Sequence, residues 1–136
     1  MKREKSVLLV CTHNSARSFM AEYIGRKISP DITFKSAGIY PLGPDPAAVA
    51  VLKEEGIDPE GRRPAAIGIY SGESFDLIVF LCPYAMKAAY SLPKSEEIIL
   101  HEISVPGGGT GNLSGFRELR DSLKVFIDEI VENIKI

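Results

Sequence analysis

Ser6-Val7-Leu8-Leu9-Val10-Cys11-Thr12-His13-Asn14-Ser15-Ala16-Arg17-Ser18 decides the fold, because a strand, a loop and the start of a helix follow one another within it. Ser6 to Val10 is an unbroken apolar run, the pattern of a strand buried on both faces of a parallel sheet rather than a half-exposed one. It carries Cys11 to the strand's end. From Ser18 onward Met20, Tyr23, Ile24 and Ile28 recur at helical spacing in register with Ala16, and Pro30 closes the segment.

Working outward, Ile32 to Ala37 reads as a second short strand, followed by Gly38 and a Pro/Gly-rich turn that ends at Asp45-Pro46, a helix cap with proline in the first turn. That helix runs to about Glu55, and Gly56 is placed to end it in a left-handed cap. Asp58-Pro59-Glu60-Gly61 is turn chemistry, and a helical stretch is expected over Pro64 to Tyr70. Phe75 to Leu81 is the third strand and delivers Cys82 to its end. Glu97 to Leu100 reads as the last strand and Pro106 to Gly111 as a glycine-rich loop. Phe116, Leu119, Leu123, Ile127, Ile130 and Ile134 form one stripe of a long terminal helix. Alternating strands and helices predict an α/β fold with a parallel sheet, in which ligands sit at the carboxyl ends of strands. Cys11 and Cys82 both occupy such ends. Adjacent strands lie about 4.8 Å apart and a disulfide needs Cα atoms within about 7 Å, so the two thiols can be bridged only if their strands are neighbours. Spacing alone leaves that open.

The chain has 136 residues, enough for one core, and is read as a single domain over residues 1–136. Its 16 Lys and Arg nearly balance 18 Asp and Glu, so no broad basic surface for nucleic acid is implied. The apolar run Val7 to Val10 is far shorter than a signal-peptide core and no later stretch spans a bilayer, so the expectation is a cytoplasmic protein with no membrane association. Two cysteines and two histidines make neither a disulfide framework nor a zinc-ligand spacing, and no metal or other cofactor is expected.

A thiol attacks as a thiolate, so a nucleophilic Cys11 needs groups that favour the anion. Three are at hand: the amides opening the helix, the permanent charge of Arg17, and hydroxyls able to donate to sulfur. The same features hold an oxyanion. Successive backbone N–H groups from Thr12, His13, Asn14, Ser15, Ala16, Arg17 and Ser18 form an anion nest, and the arginine fork pairs with two oxygens of a tetrahedral dianion. Five residues between Cys11 and Arg17 let the loop curl round a phosphate-sized ion. Ser18 is placed to donate to the thiolate as leaving group, and Asn14 to brace the loop. A bare Cys-x5-Arg is ordinarily a small buried residue and a solvated arginine. Its position between a buried strand and a helix, with Ser after Arg, reverses that reading.

Val10-Cys11-Thr12-His13-Asn14-Ser15-Ala16-Arg17-Ser18-Phe19-Met20-Ala21-Glu22 resembles the signature of the low-molecular-weight protein tyrosine phosphatase superfamily, particularly its arsenate reductase branch. Ser36-Ala37-Gly38, Pro46-Ala47-Ala48, Asp76-Leu77-Ile78-Val79 with Cys82, and Phe116-Arg117-Glu118-Leu119-Arg120-Asp121 follow in the family's order, so the resemblance covers nearly the whole chain. It implies a three-layer sandwich around a four-stranded parallel sheet ordered 2-1-3-4, with the first and third strands side by side. It also implies that Cys11 attacks arsenate and that Cys82 then resolves the adduct, releasing arsenite and leaving a disulfide.

Two departures from the family pattern matter. Thioredoxin-coupled members carry a third cysteine shortly after the second, where this chain has Met86, Lys87, Ala88, Ala89 and Tyr90, so an external donor (thioredoxin, glutaredoxin or a small thiol) must reduce a Cys11–Cys82 bond directly. The family's general-acid aspartate before proline is replaced by Val105 before Pro106. General acid catalysis is typically worth about 10²- to 10⁴-fold, so phosphate-ester hydrolysis suffers most, whereas arsenate exchanges oxygen for thiol by its own chemistry. Glu102 and Asp45 are the substitutes to test. His101 and Gly107 to Gly111 are expected at the rim, without a catalytic role. Arsenate reduction, phosphate-monoester hydrolysis and oxyanion binding without turnover are the readings left open.

Overall fold

In the computed structural model, residues 4–59 and 61–134 are described. The first strand, β1 (Ser6–Cys11), is buried at every position beyond Ser6, as its unbroken apolar run requires. It lies inside a four-stranded parallel sheet ordered β2-β1-β3-β4, with β2 (Thr33–Gly38), β3 (Ser74–Phe80) and β4 (Lys94–Leu100). Cys11 pairs with Gly38 on one side, and Val10 pairs with Phe80 on the other. The sheet order and parallel sense are those the resemblance implied. β4 begins at Lys94, three residues before the expected Glu97, because an edge strand tolerates charges on its open side.

Two buried clusters cover the faces. On one, Val7, Leu9, Cys11, Val79 and Leu81 pack against α1 (Arg17–Ile28), α2 (Pro46–Lys53) and α4 (Leu113–Ile134). On the other, Leu8, Val10, Ile78, Phe80 and Cys82 meet a 3₁₀ turn over Ile67–Tyr70 and the short helix α3 (Pro83–Ala88). The stripe read from the sequence is the buried side of α4, with Ile134 half-buried at its end. Glu54 clamps α4 onto α2 by accepting from Arg117 Nη2 at 2.7 Å and Arg120 Nη1 at 2.8 Å.

The helix expected over Pro64 to Tyr70 is only the turn Ile67–Tyr70. Ahead of it the backbone is extended: Ala65 O accepts from Gly38 N at 2.8 Å, and Ala66 forms a parallel bridge to Gly38. Those sheet contacts hold Ala65 and Ala66 extended, so helical geometry begins only at Ile67. α3 was not expected. Pro83 opens it at a position where a missing N–H costs nothing, and six residues with only Ala85 buried leave little periodicity to read. Gly56 has φ +74°, the left-handed conformation expected after α2. The glycine-rich loop tightens into a 3₁₀ turn over Gly109–Asn112 that leads into α4.

Candidate active site

The chain after β2 fixes which way the Cys11 loop faces. The carbonyls of Cys11, Thr12, His13 and Ser15 accept from Ile39 N (3.3 Å), Tyr40 N (2.8 Å), Leu42 N (2.9 Å) and Asp45 N (2.8 Å). In a trans peptide the N–H points opposite to its C=O, so the following amides turn away from that segment and inward. Asn14 N lies 3.3 Å from Cys11 Sγ and Ser18 N 3.5 Å from it. Ala16 stands before α1 with no side-chain cap, and the helix's first turn carries no acid, so its amides are not spent on a capping carboxylate.

Asn14 takes φ +55°, a conformation asparagine tolerates better than most residues, and is fully buried. Its side chain ties three segments together: Nδ2 donates to Ser18 Oγ (2.8 Å) and Ser36 Oγ (2.9 Å), and Oδ1 accepts from Ala65 N (3.1 Å). Ser18 Oγ is 2.9 Å from Cys11 Sγ and 3.3 Å from Ala37 O. With one hydrogen and two lone pairs, and one pair filled by Asn14, this hydroxyl donates to Ala37 O when Cys11 is a thiol. It turns that hydrogen to the sulfur when Cys11 is a thiolate. Ser36 in turn donates to the buried carboxylate of Glu22, which also pairs with Arg26. Burial raises the Glu22 pKa above its ordinary value, while the Ser36 hydroxyl, Arg26 and Arg62 pull it back.

Cys11 is 2% exposed and Cys82 7% exposed, and both are free thiols. Their strands are neighbours, yet the thiols lie in the clusters on opposite faces of the sheet. Cys82 Sγ has its own partner, Thr12 Oγ1 at 3.2 Å, and the residue caps α3 in an extended conformation. The loop thus touches both sulfurs, Cys11 through Asn14 and Ser18, and Cys82 through Thr12.

Arg17 opens α1, is half-buried, and donates from Nη1 to Ile103 O at 3.1 Å. His101 N and Ile103 N bond to Phe80 O (2.8 Å) and Leu81 O (3.0 Å), which holds this segment against the end of β3. Val105, two residues on, is 46% exposed. His13 is exposed, with Nδ1 3.0 Å from Tyr40 O, while Thr12 and Ser15 are half-buried and Ala16 is buried. Asp45 spends its carboxylate on Ala47 N at 2.8 Å, capping α2, and Glu102 is exposed. His101 stacks on Phe126 with ring centroids 3.7 Å apart, a packing role. Glu22, Ser36 and Arg62, which join the network beneath the loop, were not singled out from the sequence as site residues. They are separated by 14 and 26 residues, and only the fold brings them together.

Residues 6–135 match the family model of low molecular weight phosphotyrosine protein phosphatases. The chain belongs to this family. Within it, the chain is 34% identical over 126 residues to an arsenate reductase of Staphylococcus xylosus, covering 92% of this chain and 95% of the relative. A solved structure of an arsenate reductase in the phosphate binding state superposes with TM-score 0.80 at 26% identity, over 96% of this chain and 98% of the other. The tyrosine phosphatase Wzb from Escherichia coli K30, solved with sulphate, shares the fold at TM-score 0.79 and 20% identity, over 97% and 99% of the two chains. The low-molecular-weight phosphatases and arsenate reductases are enzymes, and the chain is placed among them. Among the described residues no helix is long and apolar enough to cross a membrane.

Proposed function

We propose that this enzyme reduces arsenate. Cys11 is the nucleophile, Arg17 and the amides from Thr12 to Ser18 clamp the oxyanion, and Cys82 is the resolving thiol. The carrying observation is the convergence on Cys11 Sγ of Asn14 N at 3.3 Å, Ser18 N at 3.5 Å and Ser18 Oγ at 2.9 Å, at the base of a loop whose carbonyls are turned outward. Donors to sulfur favour the attacking anion, and uncapped helix amides favour a bound dianion beside it.

The Cys11 thiolate attacks arsenic and an oxygen leaves as water after taking up protons. Cys82 sulfur then attacks Cys11 sulfur, the S–As bond breaks with its electron pair passing to arsenic, and arsenite departs. The products are a Cys11–Cys82 disulfide and As(III), a balanced two-electron exchange. Because Cys82 rests on the opposite face with Thr12 as its partner, the second step includes release of that contact and movement of α3. An external thiol donor of the kinds supplied by thioredoxin, glutaredoxin or a small cytoplasmic thiol closes the cycle.

Hydrolysis of aryl phosphates shares the first attack and is the competing reading, favoured by the family as a whole. Val105 argues against it, because it offers no proton to a departing alkoxide or phenoxide. Arsenite formation measured with each class of thiol donor, beside phosphate release from an aryl phosphate, separates them. The proposal expects arsenite with at least one donor and loss of it in Cys82→Ser; robust phosphate release indifferent to Cys82→Ser, with no arsenite, overturns it.

A further inference from the structure

We infer that Tyr84 is a positioning residue for Cys82: paired with Tyr40, it clasps the head of α3 to the Cys11 loop and keeps the Cys82 thiol in its resting place until α3 moves. The bearing of this clasp on turnover rests on Cys82 being the resolving thiol; the clasp itself does not.

The chain leaves the sheet for α3 at one fixed point and returns at another. Leu81 N donates to Val10 O at 2.8 Å, and the chain rejoins the sheet at Lys94, where β4 begins. Between them α3 is six residues long with only Ala85 buried. A segment that buries so little apolar surface opens at low cost. Contacts at its head therefore weigh on where Cys82 rests.

Two such contacts belong to one ring. Cys82 Sγ lies 3.2 Å from Thr12 Oγ1, and Thr12 O accepts from Tyr40 N at 2.8 Å. Tyr40 O is 3.0 Å from His13 Nδ1, so the Tyr40 backbone is bound to the loop through both its N–H and its carbonyl. Its side chain reaches α3, where Tyr84 Oη lies 3.4 Å from Tyr40 Oη and the ring centroids are 6.5 Å apart at 32°. Tyr84 is two residues from Cys82, which closes the ring. The loop thus grips α3 at the sulfur and again at a phenol. Both tyrosines are exposed, the hydroxyl contact is long for an O–H···O bond, and the rings sit near the far end of the range for aromatic pairs, so the clasp is weak. A weak tie on a lightly packed helix suits a thiol that has to move to reach Cys11 on the other face of the sheet.

Cys82 is buried, so its alkylation in the reduced full chain reports the opening of α3 with no arsenate present. Iodoacetamide labelling, read by mass spectrometry at Cys11 and Cys82 separately, is compared at fixed pH in the parent, Tyr84→Ala, Tyr40→Ala and the double variant, with thermal melting as the folding control. Each single substitution is expected to speed Cys82 alkylation by about three- to tenfold, and the double variant no more than the faster single one. Tyr84→Phe, which keeps the ring, is expected to give a smaller rise. After arsenate addition the Cys11–Cys82 bond is expected to form faster in the same order. Parent-like Cys82 alkylation in both single variants, effects that multiply in the double variant, or an equal rise at Cys11, the mark of general loosening, overturns the inference. Absence of a Cys11–Cys82 bond in the parent after arsenate instead removes Cys82 as resolving thiol, and the alkylation rates still decide the clasp.

Discussion

Gly38 lies directly beneath the peptide that joins His13 to Asn14: a Cβ built on it comes within 2.9 Å of both His13 C and Asn14 N. Backbone on that side cannot yield without lifting the loop from the segment that holds its carbonyls. Gly38→Ala is therefore expected to cost about 1–3 kcal/mol of stability, the usual range for overpacking, and to weaken phosphate or arsenate binding to the Cys11 loop. Urea unfolding and oxyanion titration check the two effects. A variant with parent stability and parent binding removes Gly38 from this account.

Asn14 combines φ +55° with three hydrogen bonds from one buried side chain. Asn14→Ala loses the bonds and strains the backbone, for an expected loss of about 2–4 kcal/mol. Asn14→Gly loses the same bonds but accepts the conformation, so it is expected to be the more stable of the two while reacting as slowly. Equal stability of the two variants in denaturant titrations removes backbone strain from the explanation.

Ser18 supplies the hydroxyl 2.9 Å from Cys11 Sγ. Ser18→Ala is expected to slow the Cys11-dependent step by about 10- to 10²-fold, somewhat below the loss of an oxyanion-hole donor, because the Asn14 and Ser18 amides remain. Single-turnover kinetics on folded protein decide it. A rate within a factor of two of the parent leaves Ser18 a packing residue.

Stability should depend on pH through Glu54. Its hydrogen bonds to Arg117 and Arg120 hold its pKa down to about 2, below the ordinary carboxylate value of 4.5. A depressed folded-state pKa stabilises above the unfolded pKa, and the benefit disappears as pH falls from about 4.5 through about 2. Glu54→Gln should therefore melt below the parent at pH 6 and converge with it near pH 2, modestly, because the pair is exposed to water. Glu22 runs the other way. Burial raises its pKa, so its contribution is fully present below the unfolded value and is lost as pH rises through the folded one. A Glu54→Gln melting difference that does not shrink between pH 6 and pH 2 contradicts the clamp.

β1, the Cys11 loop and α1 were legible because burial on both faces leaves an unbroken apolar run and the helix shows its period. α4 was legible for the same reason, as one long stripe. The extended Ala65–Ala66 segment read as helix because its partner, Gly38, lies in β2 and leaves no local trace. α3 escaped because only Ala85 is buried along it. At the site, Cys11, Arg17 and Ser18 share one short motif and announce themselves. Arg62 and Glu22 look like ordinary charged residues until the fold sets both against Ser36. Cys82 was legible as a strand-end thiol, but its place on the far side of the sheet from Cys11 depends on the pleat parity of two strands.

The central claim is that Cys82 reaches Cys11 during turnover, and mass spectrometry of the reduced protein after arsenate addition, without external thiol, tests it most directly. The account predicts a loss of about 2 Da, about 1 Da per thiol hydrogen, mapped to a Cys11–Cys82 bond and absent in Cys82→Ser. Unchanged mass, with Cys11 still open to alkylation after arsenate, would contradict it.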